Sequence, residues 1–368
     1  MADITLGQLL DEVIIRGASD LHIGVGMPPM MRTDGMLQFV DGIAPMTFEQ
    51  VERILLEVLS PEQYRKFTVA GELDFSFFHS SDGVEARFRG NCYSEMRGMS
   101  VALRLIPMKI RTIEELGLPV TLKEIAQSRH GLFLVTGATG HGKSTTLAAM
   151  VKEINCTRSD HIITIENPIE YVHQLMLCMI HQREVGTNTE SFAEALKSAL
   201  RQDPDVILIG ELRDLETIAS AITAAETGHF VLGTLHTQDA SQSIDRLIDV
   251  FPPHQQQQIR VQLASVLIGI CSQQLIPMRG GGRLCATELL VANAAVRNNI
   301  REGKTNQIRT IIQTGSSLGM HTMEQCLTAF VRADVLSKDN AMRYAYDPAE
   351  LARMLEQISI PPQWSWGE

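Results

Sequence analysis

The run Gly137-Ala138-Thr139-Gly140-His141-Gly142-Lys143-Ser144 constrains the fold more than any other feature of the chain. It matches GxxxxGK[ST] in full. An apolar, strand-like run at 132–135 precedes it, and Thr145-Thr146-Leu147 opens a helical pattern behind it. Glycines let successive backbone N–H groups turn inward around phosphate oxygens, and the helix N-terminus adds partial positive charge. The segment from Gly137 to Thr145 is therefore the expected ATP cradle. In it Lys143 reaches the β- and γ-phosphates and the Ser144 hydroxyl binds Mg²⁺. A chance glycine turn would not bring strand, helix and terminal Lys-Ser together.

Other short apolar runs at 162–165, 206–209 and 230–235 alternate with helical patterns, and Ser191 is placed to cap a helix over 192–201. That alternation implies a parallel sheet covered on both faces. A smaller α+β domain precedes it. Thr5 with Gln8, and Thr47 with Gln50, have capping-box spacing ahead of helical apolar patterns, with Gly17 and Pro61 as stops. Strands are expected at 73–78, 85–93 and 100–106, with an Asp82-Gly83 turn between the first two. The resulting division is 1–108, a linker at 109–118, a nucleotide domain over 119–360 and a tail at 361–368. After the loop Gly280-Gly281-Gly282 the chain reads as mostly helical.

Composition excludes several classes. With 368 residues, 44% hydrophobic and 20% charged, the chain has enough apolar content for packed cores rather than disorder. Its 32 basic and 43 acidic residues give a net charge of −11, unlike a nucleic-acid coat, which needs a basic surface. The longest apolar stretch, 261–276, is broken by Gln262, Ser265, Gln273 and Gln274, so no transmembrane helix is expected. The N-terminus lacks the basic region of a signal peptide. None of the six cysteines forms a CxxC pair, which points to a reducing compartment without a zinc knuckle.

Two strand ends carry acids. The run 206–209 is followed by Gly210 and Glu211. In P-loop proteins the strand beside the loop delivers an acid toward Mg²⁺ and the attacking water. Glu211 is thus the candidate water-positioning base and a possible metal neighbour, the alternative being a solvated acid paired with Arg213. Glu166 closes the run 162–165 as a second candidate, or as a turn acid before Pro168. His229 and His236 bracket the run 230–235. Their spacing speaks against a shared metal, and His236 stands at the C-terminal, ligand-binding end. It is placed either to sense the γ-phosphate or simply to satisfy a strand end.

Together these motifs resemble the PilT-type retraction ATPases of type IV pili, within the type II/IV secretion ATPase superfamily. The resemblance spans nearly the whole chain. It runs from Gly17-Ala18-Ser19-Asp20-Leu21-His22-Ile23 through the P-loop to Thr164-Ile165-Glu166-Asn167-Pro168-Ile169-Glu170-Tyr171, which is similar to the family's Asp box. It continues through Gly210-Glu211-Leu212-Arg213-Asp214, an atypical Walker B, and a His box ending in Leu235-His236-Thr237. Ala295-Val296-Arg297-Asn298-Asn299-Ile300-Arg301-Glu302 is similar to the retraction subfamily's AIRNLIRE element. Asn167 stands where the Asp box has aspartate, and Asn299 replaces a leucine.

The resemblance implies a PAS-like N-terminal domain, a RecA-like P-loop domain with a helical C-terminal part, and a homohexameric ring. It implies an ATP-driven motor on the cytoplasmic side of the inner membrane. Such a motor acts on a pilus platform protein, reaches pilin only indirectly and does not bind nucleic acid directly. It also implies that Arg89 and Arg104 reach nucleotide at a subunit boundary, with Arg87 as the nearest rival. A traffic ATPase for secretion or DNA uptake, or a non-hydrolysing assembly protein, is the competing function.

Overall fold

The computed structural model describes residues 4–33, 36–81, 84–106 and 109–356, with the side chains of Ser81 and Val84 left aside. The Asp82-Gly83 turn and the tail at 361–368 lie outside these residues. The chain divides into two compact units, Met1–Lys109 and Ile110–Glu368.

The first unit opens with α1 (Leu6–Arg16), which starts at a capping box on Thr5 and stops at left-handed Gly17. Strands β1 (Asp20–Gly24), β2 (Met30–Thr33) and β3 (Met36–Phe39) follow, then α2 (Phe48–Val58) and α3 (Pro61–Ala70). Three longer strands close the unit: β4 (Glu72–Ser81), β5 (Val84–Glu95) and β6 (Gly98–Ile106). Among the described residues they form one antiparallel sheet of order β3-β2-β1-β6-β5-β4. The apolar stripes of α1 and α2, led by Leu9, Val13, Val51 and Leu55, pack with Leu21, Phe88 and Leu103 of the sheet. Pro61 does more than end α2. It begins α3 behind a capping box on Ser60, because proline at the first helical turn loses no hydrogen bond. The strands β1 to β3 escape sequence reading because each is only four or five residues long.

The second unit runs α4 (Thr121–Ala126), β7 (Gly131–Thr136), α5 (Lys143–Thr157), β8 (His161–Glu166), β9 (Met179–Glu184), α6 (Phe192–Ala199), β10 (Val206–Ile209), α7 (Leu215–Glu226) and β11 (Phe230–Leu235). It continues with α8 (Ala240–Asp249), α9 (Pro253–Val266), β12 (Leu267–Pro277) and β13 (Arg283–Val291). The chain then turns helical through α10 (Ala294–Glu302), α11 (Ile308–Thr314), α12 (Met323–Arg332), α13 (Lys338–Tyr344) and α14 (Pro348–Glu356).

Among the described residues the sheet order is β13-β12-β7-β11-β10-β8-β9, parallel except for the antiparallel β12–β13 pair. Two expectations are corrected here. The acid-bearing strand β10 is not the neighbour of the loop strand β7, since β11 lies between them. The segment after the triple glycine begins with a strand, so 267–291 is a hairpin turning at Gly280-Gly281-Gly282. Its long apolar run, interrupted by polar residues, reads ambiguously until the sheet shows which face each residue serves. Helices cover both faces of the sheet, as wholly apolar central strands require.

Candidate functional site

The C-terminal ends of β7, β11, β10 and β8 meet at one edge of the parallel sheet, where open α/β sheets bind ligands. The phosphate loop leaves β7 there. Gly137 has φ 142°, and a Cβ on it would lie 2.4 Å from the Gln273 carbonyl oxygen. Only glycine fits, both sterically and conformationally. Gly142, at φ 83°, caps α5, which begins at Lys143.

Gln273 of β12 holds the loop from beneath. Fully buried, it donates from Nε2 to the His141 carbonyl at 2.6 Å and accepts from Thr146 Oγ1 at 2.9 Å. Its own carbonyl lies 3.3 Å from His141 Nδ1. One side chain thus spans the loop's tip and the first turn of α5. Sequence reading missed this role, although a glutamine pair inside an otherwise apolar run was the signal. Beside it Thr136 Oγ1 donates to Ser272 Oγ at 2.9 Å.

Lys143 is buried and donates to the carbonyls of Gly137 at 2.8 Å and Ala138 at 3.1 Å. Burial pushes its pKa down, and the charges of Glu211 and Glu170 oppose that. Ser144 is half-buried on the first turn of α5, and Thr145 Oγ1 bonds to the Tyr171 hydroxyl at 2.8 Å.

Glu211, His236 and Thr139 come together. His236 Nε2 lies 3.1 Å from Glu211 Oε1, and its Nδ1 lies 3.5 Å from Thr139 Oγ1. The imidazole thus lies within ion-pair distance of the carboxylate through Nε2 and hydrogen-bonds the threonine through Nδ1. Arg213 pairs with the same Glu211 oxygen, the pairing that the alternative reading of this acid expects. Gly210 is needed for space, because a Cβ there would lie 3.2 Å from the Ile165 carbonyl oxygen and 3.3 Å from Glu166 Cα. Asp214 caps α7 through Thr217. His229 sits at the opposite end of β11, against the Ala224 carbonyl at 2.9 Å.

Glu166 is placed differently from Glu211. It accepts from Thr164 Oγ1 at 2.7 Å and Gln182 Nε2 at 3.3 Å. Burial, opposed by those bonds, pushes its pKa up. No bond links it to the loop among the described residues. The acid of this segment whose charge acts on Lys143 is Glu170, which sequence reading did not single out. Asn167 is exposed. Ser144 lies on the first turn of α5 next to Lys143, and Glu211 and Glu170 are the acids whose charges act on that lysine, so the oxygens offered around it are hard donors. Such donors suit Mg²⁺, which takes few protein oxygens and completes its shell with phosphate and water.

In the first unit the registry sets Arg32 opposite Asp20, Asp20 opposite Arg104, and Arg104 opposite Arg89, all in one row across the sheet. Arg104 Nε bonds Asp20 Oδ1 at 2.7 Å while 65% of its side chain stays exposed. Arg89 lies 3.9 Å from Asp74 and is 41% exposed. Burial pushes the Asp20 carboxyl up, but the Ser19 hydroxyl and Arg104 more than offset this and hold it below its ordinary value. Arg87 is only 6% exposed, donates to Ser76 Oγ at 3.0 Å and stacks over Phe78. Arg87 is thus buried where Arg104 and Arg89 are partly exposed.

The element at 295–300 lies on α10. Val296 and Ile300 are buried, while Ala295 and Asn298 are exposed and Asn299 is half-buried. Arg297 turns inward and caps α9, donating to the carbonyls of Ala264 at 2.6 Å and Ser265 at 2.7 Å. Its guanidinium does not belong to the outward face.

Known proteins resemble this chain over most of its length. Residues 3–287 match the family model described as type II/IV secretion system protein. The chain is 47% identical over 346 residues to the type IV pilus retraction ATPase PilT of Pseudomonas aeruginosa, covering 94% of this chain and 99% of that one. It is 45% identical to a twitching motility protein of Neisseria gonorrhoeae, covering 88% of this chain and 86% of that one. A crystal structure of the pilus retraction motor PilT with bound ADP superposes with a TM-score of 0.89 at 44% identity, covering 95% and 99% of the two chains.

Proposed function

The chain belongs to the type II/IV secretion system protein family, and on that premise we propose that it is an ATP-hydrolysing motor for type IV pilus retraction. The observation that carries this reading is the gathering of Glu211, His236 and Thr139 beside a complete phosphate loop. The retraction and twitching proteins among its relatives support the cargo.

In this mechanism the loop amides and Lys143 hold the β- and γ-phosphates. Ser144, with Glu211 or Glu170 nearby, would hold Mg²⁺, which would supply charge neutralisation at the phosphate oxygens. Glu211 orients a water in line with the γ-phosphorus and accepts its proton as the new P–O bond forms and the bond to the ADP oxygen breaks. His236 holds the Glu211 carboxylate in place and bridges it to Thr139, so a change at the loop reaches the base. Arg104 and Arg89 supply cationic charge to the γ-phosphate of a neighbouring subunit in a homohexameric ring. The protein works on the cytoplasmic side of the inner membrane, against a platform protein of the pilus machinery.

Deleting the coding sequence tests the reading. The expected phenotype is abundant surface pili with loss of twitching. A strain with few pili would point to assembly or secretion instead. Purified protein should turn over ATP, and absence of turnover would leave only the non-hydrolysing assembly function.

A further inference from the structure

The loop that carries His236 is held by residues far from it in sequence. It runs from the end of β11 through Thr237, Gln238 and Asp239 into α8. Thr237 Oγ1 bonds Ser243 Oγ at 2.6 Å, and the Ala240 amide donates to the buried Glu288 carboxylate at 3.0 Å. Between these ties the Gln238 carbonyl, two residues past His236, accepts from the Tyr346 hydroxyl at 2.5 Å. Tyr346 lies in the short connection between α13 and α14. Both ends of that connection are anchored. Gln274 Nε2 donates to the Tyr344 carbonyl at 3.2 Å. On the other side the Asp347 amide donates to the fully buried Glu324 carboxylate at 2.8 Å.

Gln274 directly follows Gln273, the residue that stitches the phosphate loop, and adjacent strand residues point to opposite faces. The strand segment 273–274 therefore holds the loop with one side chain and the α13–α14 connection with the next. That connection in turn holds the His236 loop. We propose that Tyr346 is a positioning residue for hydrolysis, fixing the His236 loop through Gln238 and coupling the C-terminal helices to the Glu211–His236–Thr139 cluster. This rests on the ATPase reading above. A hydroxyl-to-carbonyl bond is short and directional, so its loss loosens one point of the loop without removing any group that touches nucleotide. The expected effect falls on the chemical step, where His236 holds the base, and spares the phosphate loop that binds ATP.

The test is Tyr346→Phe, which deletes only the hydroxyl. Turnover should fall about three- to tenfold, the range of one lost hydrogen bond, while the KM for ATP and the affinity for ADP stay within about twofold. In a His236→Ala background the same change should add almost nothing, because the residue it positions is gone. A merely structural role gives the same fold-loss in both backgrounds, or a rise in KM in step with lost thermal stability. Either result overturns the proposal, as does unchanged turnover in Tyr346→Phe. Gln274→Met, which keeps the volume but removes the amide, carries the same expectations and decides the matter should Tyr346→Phe fail to fold. Wild-type turnover is measured first. Its absence sinks the ATPase reading and this proposal with it, whereas an active wild type with an indifferent Tyr346→Phe sinks this proposal alone.

Discussion

In the larger unit the phosphate loop is tied from beneath by a buried glutamine, and its lysine is folded against the loop's own carbonyls. In the smaller unit Arg104 and Arg89 stand opposite each other on an open sheet face, with Asp20 bonded to Arg104. The first arrangement fixes the loop before a ligand arrives, leaving Lys143 to exchange its loop carbonyls for phosphate oxygens. The second leaves long cationic side chains partly in solvent, where their pairing is weak and easily exchanged for another anion. A rigid cradle and an exchangeable cation are what a motor needs if one part must hold nucleotide while the other engages and releases it.

That comparison breaks most visibly at Lys143. Lys143→Ala should lower ATP turnover about 1,000-fold, since the transferring phosphate loses its cationic donor. Near-normal hydrolysis would remove the loop from the account. Glu211→Gln should lower turnover about 300-fold and leave ADP binding within a few-fold of wild type, because only the proton acceptor is lost. If turnover survives, Glu170 takes precedence over Glu166 as the next acid to test, given its action on Lys143.

On the exchangeable side, Arg104→Ala should cost about 50-fold in turnover. This is less than a lone arginine finger supplies, because Arg89 stands opposite it. Arg87→Ala should instead lower stability, since that side chain is packed against Ser76 and Phe78. A chemical unfolding midpoint measured beside turnover separates the two effects.

Arg297→Ala sharpens the contrast within one helix. It should lose about 2 kcal/mol of stability by uncapping α9, whereas Asn298→Ala on the exposed face should lose almost none. The smallest effect concerns pH. Burial, opposed by the Ala240 bond and reinforced by Asp239 and Glu324, raises the Glu288 carboxyl to about 7. A raised carboxylate costs stability as pH climbs from its unfolded value toward 7, because the unfolded chain releases its proton first. Glu288→Gln should therefore gain about 1–2 kcal/mol at pH 8 and nothing at pH 4, as read from urea unfolding at the two values.

The parts of this account that were legible in the sequence are those whose residues follow one another. The phosphate loop, the Glu211 strand end and His236 each sit in one continuous motif, and periodicity around them was enough to place the parallel strands β7, β8, β10 and β11, though not β9 or β12. What escaped reading arrives from elsewhere in the chain. Gln273 reaches the loop across 132 positions from His141, and the Asp20–Arg104–Arg89 row exists only once three strands are in register. Arg297 sits in a recognisable motif, yet only the packing of α10 on α9 shows that it points inward. Pro61 was legible as a stop but not as a start, since proline serves both positions. The β12–β13 hairpin was hidden because its apolar run fits a buried helix as well as a buried strand.

The central claim is that a fixed loop on one subunit and an exchangeable arginine on the next make one active site. Mixing subunits tests it most directly. Arg104→Ala protein keeps its loop, and Lys143→Ala protein keeps its arginine. Each alone should be nearly inactive. An equal mixture that exchanges subunits should recover up to about a quarter of wild-type turnover, the share of head-to-tail boundaries that join an intact loop to an intact arginine. A mixture no more active than the sum of its parts, in rings shown to have exchanged subunits, would contradict the account.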